Sequence, residues 1–350
     1  MPELAGHAAL AGSLLDLSRL NPPLETLQWP LFDQHRVSVK VLRLDLLHPH
    51  LGGNKWFKLR HNLDAIVDAT AVDSSTRVVS FGGAWSNHLR ALAAAGREFG
   101  FATLGLVRGE ETRPLNPVLS FVRQCGMELR YLSRSDYRRR NDPAFIRQLS
   151  AGLGPVIVLP EGGGNALGVA GCEAIAGYLG WESPGRLPGR PSSHLPRDRR
   201  FVMLACGTGA TAAGIIRGLM TGAQDQAQSQ SQSQASVTVK AVAVLKAPGY
   251  LQRQIASWLP EARMAKQMAG QPDRAVHWEV LEDYHCGGYA RVSDSLTTIL
   301  ETFGVATGLP LEPVYTGKLV LALIDQVQTG QIPAGSEVIL IHTGGIHPSG

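Results

Sequence analysis

Residues 200–220 have the sequence RFVMLACGTGATAAGIIRGLM, in which three kinds of segment follow one another. Arg200 begins a run, 200–205, that is otherwise apolar, a turn of small residues occupies 206–209, and a run rich in Ala, Ile and Leu occupies 210–220. The first run predicts a buried strand, the second a glycine turn and the third a helix. This order of segments predicts one βα unit of a parallel sheet.

Two further units of the same kind occur earlier in the chain, at 77–100 and at 156–179. Their strands run into the glycine turns Gly82-Gly83 and PEGGGN (160–165), and the predicted helices occupy 86–100 and 166–179. Later predicted elements are a strand at 237–245, helices at 251–268 and 293–303, and a strand at 337–342. The alternation predicts an α/β fold with mostly parallel sheets, which bind ligands at the carboxyl ends of their strands.

The composition is that of a globular protein, with 44% hydrophobic and 18% charged residues among 350. This length predicts two lobes rather than a single core. The net charge is +4, and the arginine clusters at 138–140 and 197–200 have no accompanying stacking motif, so we expect no nucleic-acid partner. The four cysteines have no CxxC spacing, which predicts neither a disulfide framework nor a metal site.

The sequence shows no pattern typical of a membrane span or a signal peptide. No run approaches the roughly 18 apolar residues of a membrane span, and the first residues do not resemble a signal peptide, so we expect a cytoplasmic protein. Residues 183–199 are rich in Pro, Gly and Arg, and residues 224–236 are a low-complexity Gln and Ser tract. Both segments are predicted to be mobile surface insertions.

Lys55 lies in the motif Gly52-Gly53-Asn54-Lys55 at the start of a predicted helix. Glycines let the backbone approach a ligand closely, and burial beside positive neighbours lowers the pKa of a lysine and makes its amine nucleophilic. The alternative is an exposed lysine at an ordinary helix start, which the motif alone does not exclude.

The motif FGGAWSNH at 81–88 places Ser86, Asn87 and His88 at another predicted helix start. Unpaired backbone N–H groups make such a start attractive to anions. We therefore predict a site for an amino-acid carboxylate, where the Asn87 amide can also donate to a phenolate oxygen of a cofactor ring. An ordinary helix cap is the alternative, and it explains Ser86 and Asn87 but not the two preceding glycines.

The turn CGTGAT at 206–211 predicts a phosphate cradle, because small residues open a helix whose N–H groups face outward. It lacks the GK[ST] of a nucleotide P-loop, which favours a phosphate monoester over ATP. A dinucleotide site stays open as an alternative, although the acidic residue it needs about 20 positions later falls in the Gln and Ser tract.

Tyrosine and threonine hydroxyls supply the remaining candidate groups. Tyr289 follows two glycines, and Tyr315 precedes Thr316 in the motif EPVYTGK at 312–318. The tyrosines can act as acid, base or orienting donor, and core packing is the open alternative. Thr343, in HTGG after the last predicted strand, can face a ring nitrogen, and His342 is interpreted as a structural histidine.

Taken in order, the motifs GGNK, SNH, PEGGGNALG, CGTGAT, VYTGK and HTGG resemble those of the 1-aminocyclopropane-1-carboxylate deaminase and D-cysteine desulfhydrase family. The resemblance extends from about Pro22 to Gly345. It implies an enzyme dependent on pyridoxal 5′-phosphate (PLP), with the tryptophan synthase β-subunit-like fold (fold type II) of two three-layer αβα domains. It also implies a large cofactor-binding domain at 1–60 and 165–350, a small domain at 61–164, and a homodimer.

The resemblance also implies roles for individual residues. Lys55 would be the Schiff-base lysine, Asn87 would bind the phenolic oxygen of PLP, and Tyr289 and Tyr315 would lie over the substrate as catalytic residues. Thr343, or less favourably Thr316, would face the pyridine nitrogen. The residues cradling the phosphate would be Thr208, Gly209, Ala210 and Thr211. Those around the substrate, a small amino acid, would be Ser86, Asn87, His88 and Gly163.

The chain departs from the family pattern at three places. Trp56-Phe57-Lys58 stands where many relatives carry an arginine, Thr316 stands where deaminases carry glutamate, and His88 stands where they tend to carry glutamine. The last two favour a D-cysteine desulfhydrase-like α,β-elimination that gives pyruvate, ammonia and sulfide. The alternatives are deamination of 1-aminocyclopropane-1-carboxylate to 2-oxobutyrate, another PLP reaction such as serine dehydration, racemisation or β-replacement, and a binding protein without turnover.

Overall fold

The computed structural model describes residues 20–72, 75–181, 199–227, 236–260 and 276–346. Contacts divide the chain into two units, a first unit containing Leu46–Gly171 and a second containing Pro22–Asp45 and Cys172–Ile346. The predicted insertions at 183–199 and 224–236 lie outside the described residues except at their ends, and so do residues 261–268 of the helix predicted at 251–268.

The strands, in chain order, are β1 (Leu24–Thr26), β2 (Ser38–Arg43), β3 (Arg77–Gly82), β4 (Ala102–Arg108), β5 (Glu128–Leu132), β6 (Val156–Leu159), β7 (Arg200–Cys206), β8 (Val237–Ala243), β9 (Val276–Leu281) and β10 (Glu337–His342). The α-helices are α1 (Pro30–Gln34), α2 (Asn54–Val72), α3 (Asn87–Phe99), α4 (Pro117–Gln124), α5 (Arg134–Arg138), α6 (Pro143–Ser150), α7 (Ala166–Glu173), α8 (Ala210–Ala227), α9 (Tyr250–Trp258), α10 (Asp294–Thr307) and α11 (Thr316–Gln328). Short 3₁₀ helices occupy Leu44–Leu46, Glu161–Gly163 and Ala174–Tyr178.

The first unit is built on a four-stranded parallel sheet with the order β5-β4-β3-β6. Val79 at its centre pairs in register with Leu104 and Val158. Helix α3 follows β3 because Ser86 caps it, the hydroxyl accepting from the Leu89 N–H at 3.2 Å, and it ends at Gly100, which has a φ of 77°.

The second unit is built on a six-stranded sheet with the order β1-β2-β10-β7-β8-β9. Strand β1 is antiparallel to β2, and the other neighbours are parallel. Fully buried Val, Met and Leu side chains from β2, β7 and β10 form a core together with α11. Such near-continuous apolar strands are typical of a parallel sheet covered on both faces.

The predicted α/β fold with mostly parallel sheets is confirmed. The helix predicted at 166–179 is in fact α7 followed by the 3₁₀ turn Ala174–Tyr178. The predicted domain boundary at residue 60 falls inside α2, a continuous helix that packs against α7 in the first unit. The assignment of a large cofactor-binding domain and a small domain stays a prediction.

Candidate active site

The turns of the second unit gather at one edge of its sheet. β7 and β10 are parallel neighbours, and they end at Cys206 and His342. Val244, just after β8, donates its N–H to the Cys206 carbonyl at 3.1 Å. The strand order changes direction between β7 and β10, and at such a point an open parallel sheet binds its ligand. The CGTGAT turn and the HTGG segment therefore lie at the carboxyl ends of adjacent strands.

The CGTGAT turn has the local geometry of an anion site. Gly209 has a φ of 80°, and α8 begins directly after it at Ala210. A Cβ added at Gly209 would lie 3.0 Å from Ile255 Cγ1, so the turn leaves no room for a side chain there. Thr211 is buried in the first turn of the helix. Backbone N–H groups at a helix start without bulky side chains fit a phosphate monoester.

Tyr289 and Tyr315 come together beside this turn. Their ring centroids are 6.2 Å apart, and the rings meet edge to face at 75°. A Cβ added at Gly207 would lie 3.7 Å from the hydroxyl of Tyr315. The structure thus brings Tyr315 to the predicted phosphate turn and Tyr289 to Tyr315.

Thr316 has a different environment from the one the resemblance implies for a ring-nitrogen partner. Its side chain is buried, and its hydroxyl accepts from the Glu312 N–H at 2.8 Å. The Glu312 carboxylate accepts from the N–H groups of Tyr315 and Thr316, both at 2.7 Å. Burial raises the pKa of Glu312, and these hydrogen bonds oppose that effect. Thr316 and Glu312 therefore cap the start of α11.

Thr343 follows His342, whose ring contacts Asp45 and the Pro310 carbonyl. His342 Nδ1 lies 3.1 Å from Asp45 Oδ1, and His342 Nε2 lies 2.8 Å from the Pro310 carbonyl oxygen. Arg43 donates to Asp45 Oδ2 at 2.7 Å. Burial alone would raise the pKa of Asp45, but hydrogen bonds from His342 and Arg43 outweigh it and lower this pKa to about 2. Asp45 therefore stays ionised and holds the side chain of His342, the residue before Thr343.

The first unit brings together three predicted motifs, GGNK, SNH and PEGGGN. Lys55 is in the first turn of α2, where its ammonium donates to Asn54 Oδ1 at 2.7 Å. Lys58, one turn later, donates to the Gly162 carbonyl at 3.0 Å. A Cβ added at Gly163 would lie 3.3 Å from His88 Cε1, and α3 begins at Asn87. The predicted residues Lys55, Ser86, Asn87, His88 and Gly163 thus lie on elements that pack against one another.

His88 is buried, and its Nε2 lies 2.9 Å from Ser80 Oγ. Its Nδ1 has no hydrogen-bond partner among the described residues. Burial, with smaller contributions from the positive charges of Lys55 and Lys58, lowers the pKa of His88 to about 3. The ring is therefore neutral at physiological pH.

Some residues that shape the site were not predicted from sequence. Glu161 fixes the PEGGGN turn, since it accepts from the Tyr137 hydroxyl at 2.8 Å and pairs with Arg140 at 2.7 Å. Ser80 is a polar residue inside the apolar strand β3, and that position was a signal which the sequence offered. Glu161 gave no such signal, because its partners are distant in sequence.

Within the described ranges, no helix has the length and apolar character needed to cross a bilayer. The same residues contain no cluster of three or more His, Cys, Asp or Glu side chains suited to a metal ion.

Comparison with known proteins gives the family. The profile of the family described as "Pyridoxal-phosphate dependent enzyme" matches residues 5–344. An Arabidopsis thaliana protein named bifunctional D-cysteine desulfhydrase/1-aminocyclopropane-1-carboxylate deaminase, mitochondrial, is 26% identical over 318 residues, covering 87% of this chain and 72% of its own. The crystal structure of an ACC deaminase homologue superposes with a TM-score of 0.70 at 23% identity, covering 96% of this chain and 94% of the other.

A hydrogen sulfide-producing enzyme from Fusobacterium nucleatum has the same fold, with a TM-score of 0.61 at 12% identity and coverage of 95% and 97%. The predicted fold type II and the predicted PLP dependence are confirmed by these matches. The chain therefore belongs to the family of pyridoxal-phosphate dependent enzymes.

Proposed function

We propose that this enzyme catalyses a D-cysteine desulfhydrase-like elimination, in which D-cysteine and water give pyruvate, ammonia and hydrogen sulfide. The name of the Arabidopsis relative supports this substrate class. The observation that carries the choice of reaction is the cap of α11, where Thr316 and the Glu312 carboxylate are occupied with each other and with backbone N–H groups.

Residues of the described motifs would hold the cofactor. Lys55 would carry it covalently, Asn87 would donate to its phenolic oxygen, and Thr343 would face its ring nitrogen. The phosphate would rest on the segment Thr208, Gly209, Ala210 and Thr211. When bound, PLP supplies an electron sink for the bond that breaks at Cα of the substrate.

The residues of the chain would perform the proton and orientation steps. The Lys55 amine would remove the Cα proton, after which the thiol leaves from Cβ. The backbone N–H groups at the start of α3, with Ser86 and Asn87, would bind the substrate carboxylate, since this helix end favours anions. Tyr289 and Tyr315 would orient the substrate. A neutral threonine at the ring nitrogen suits a good leaving group such as a thiol.

Deamination of 1-aminocyclopropane-1-carboxylate is the second candidate, because the Arabidopsis relative carries both activities in its name. Incubation of the holoenzyme with D-cysteine, L-cysteine and the cyclopropane substrate separates the two, since the first candidate forms pyruvate and the second 2-oxobutyrate. We expect pyruvate from D-cysteine.

Lys55→Ala should abolish both turnover and the visible absorbance of lysine-bound cofactor. Lys40→Ala is the matched control, because Lys40 is a partly exposed lysine paired with Glu337 and should keep full activity. Full turnover by Lys55→Ala would exclude this assignment.

We further propose that the enzyme is a homodimer, on the basis of the family resemblance, and that it is cytoplasmic, as the sequence pattern predicts. Sedimentation of the holoenzyme measures its mass, and a monomer at micromolar concentration would contradict the dimer.

A further inference from the structure

Lys318 is a buried cation with unusual partners. Its side chain is 0% exposed in the first turn of α11. The ammonium donates to the Gly288 carbonyl at 2.8 Å and to the Val244 carbonyl at 3.4 Å. No carboxylate in the described part of the chain forms a salt bridge with it. Burial lowers the pKa of Lys318, and the nearby Cys286 and Glu312 partly offset this. Burying a charge without a paired charge is costly, and the two carbonyl oxygens that accept from the ammonium offset part of that cost.

The segment that Lys318 holds is strained. Positive φ angles occur at Cys286 (53°), Gly287 (90°), Gly288 (142°) and Ala290 (55°). Two of these residues are not glycines, and such conformations persist only where surrounding contacts enforce them. Tyr289 lies in the middle of this segment. The bond from Lys318 to the Gly288 carbonyl fixes the peptide that leads directly into Tyr289.

Lys318 also connects Tyr289 with the other parts of the second-unit site. It follows Tyr315 by one helical turn, and the rings of Tyr289 and Tyr315 are 6.2 Å apart. Its other acceptor, Val244, donates to the Cys206 carbonyl at the start of the phosphate turn. A single ammonium therefore contacts the segment of Tyr289 and a neighbour of the CGTGAT turn, and it shares a helix with Tyr315.

We propose that Lys318 is a positioning residue that holds the strained turn 286–290 so that Tyr289 meets Tyr315. The role of the tyrosines in turnover rests on the proposed function, whereas the conformation of the turn does not. The two parts can therefore be tested separately.

The test is Lys318→Met, which keeps the apolar stem and removes the ammonium. Hydrogen–deuterium exchange of the full-length protein without cofactor should become about tenfold faster or more at 286–291, because a charge-assisted hydrogen bond to the turn is lost. Exchange in β3 and β4 should not change. With D-cysteine, kcat should fall about tenfold to a hundredfold with little change in KM, since misplaced groups lose mainly transition-state contacts.

Lys240→Met is the matched control. Lys240 is a second buried lysine of the same unit, bonded to Glu279 and to Gln326. Its replacement should lower the melting temperature without accelerating exchange at 286–291 or changing kcat. In a Tyr289→Phe background, Lys318→Met should lose most of its effect on kcat, because it acts through that tyrosine.

Unchanged exchange at 286–291 in Lys318→Met would overturn the proposal, whatever happens to activity. Equal acceleration in Lys240→Met would also overturn it. If Lys318→Met does not fold, Lys318→Gln keeps an N–H donor on a shorter stem and should still exchange faster than wild type at 286–291. If wild type turns over no amino acid, the proposed function fails while the exchange result still decides the role of Lys318.

Discussion

At the scale of single residues, the hydrogen bonds of Ser80 determine which nitrogen of His88 carries the proton. Ser80 donates its one hydroxyl hydrogen to the Leu159 carbonyl at 2.9 Å, so towards His88 it can only accept. Nε2 must therefore hold the hydrogen, and Nδ1 is a bare acceptor. A neutral ring of this tautomer cannot donate to a carboxylate from Nδ1. If the substrate carboxylate lies at this helix start, backbone and neighbouring side chains bind it rather than the imidazole.

The buried neutral state of His88 should make stability depend on acid. The pKa is about 3 in the folded protein against an ordinary value of 6.5, so between these values the unfolded chain binds a proton that the folded chain does not. The contribution of neutral His88 to the free energy of unfolding is fully present above pH 6.5 and is lost as pH falls towards 3. His88→Gln should therefore lose less unfolding free energy than wild type between neutral pH and about pH 5 in urea titrations.

The control for this experiment is His277→Gln, because His277 is a partly exposed histidine of β9. It should retain the wild-type acid profile. If the unfolding free energy of His88→Gln fell with pH as steeply as that of wild type, the folded protein would protonate His88 as readily as the unfolded chain does, which would contradict this account.

At the scale of elements, glycines set the distance between α2 and α7. A Cβ at Gly171 would overlap the Phe57 carbonyl oxygen, and one at Gly168 would overlap that of Gly163. These contacts place the start of α2, with Lys55, beside the PEGGGN turn. α2 and α7 cannot keep this approach if Gly171 gains a side chain, and the PEGGGN turn cannot keep its place against α7 if Gly168 gains one.

Gly171→Ala should lower the unfolding free energy by about 2 kcal/mol, because the methyl group forces the helices apart. Gly177→Ala is the control, since a Cβ there would meet no atom within 4 Å. That variant should be neutral or more stable by about 0.5 kcal/mol, as expected for alanine in a helical turn. Urea unfolding of both variants gives the comparison, and equal values would contradict this account of the helix packing.

The elements that sequence could predict are those with a local signal. The runs at 156–159 and 337–342 coincide with β6 and β10, because a β-branched apolar segment before a glycine turn is defined by neighbouring residues. The end of α7 at Glu173 was not predicted, since the sequence continues with helix-forming residues. Boundaries of that kind depend on tertiary packing.

The residues of the candidate site also fall into those with a local sequence signal and those without one. Lys55, Ser86, Gly209 and Tyr315 belong to short motifs with a physical reason at each position, and the sequence pointed to all of them. In the sequence, Lys318 stood out only as the last residue of the motif VYTGK. Its role as a positioning residue depends on a hydrogen bond to Gly288, thirty residues away. Contacts over such separations leave no trace in a local pattern.

At the scale of the whole molecule, the cofactor should contribute to stability because it binds the folded chain alone. At about 100 times its dissociation constant, PLP should add about 2.7 kcal/mol and raise the melting temperature. Pyridoxal, which lacks the phosphate, should raise it much less, since the helix start at Ala210 then has no anion to bind. Equal shifts with both ligands would contradict a phosphate site at CGTGAT. Thermal melts of the protein freed of cofactor measure both shifts.

The short strand β1 has a consequence for solubility. It pairs only three residues against β2, and two prolines, Pro22 and Pro23, precede it. Without it, β2 would offer a row of unpaired amides and carbonyls to the strands of other molecules. Proline has no amide hydrogen to donate, so the outermost strand is a poor template for further strand addition. The short length of β1 and the two prolines before it thus make this edge of the described sheet a poor partner for a strand of another molecule.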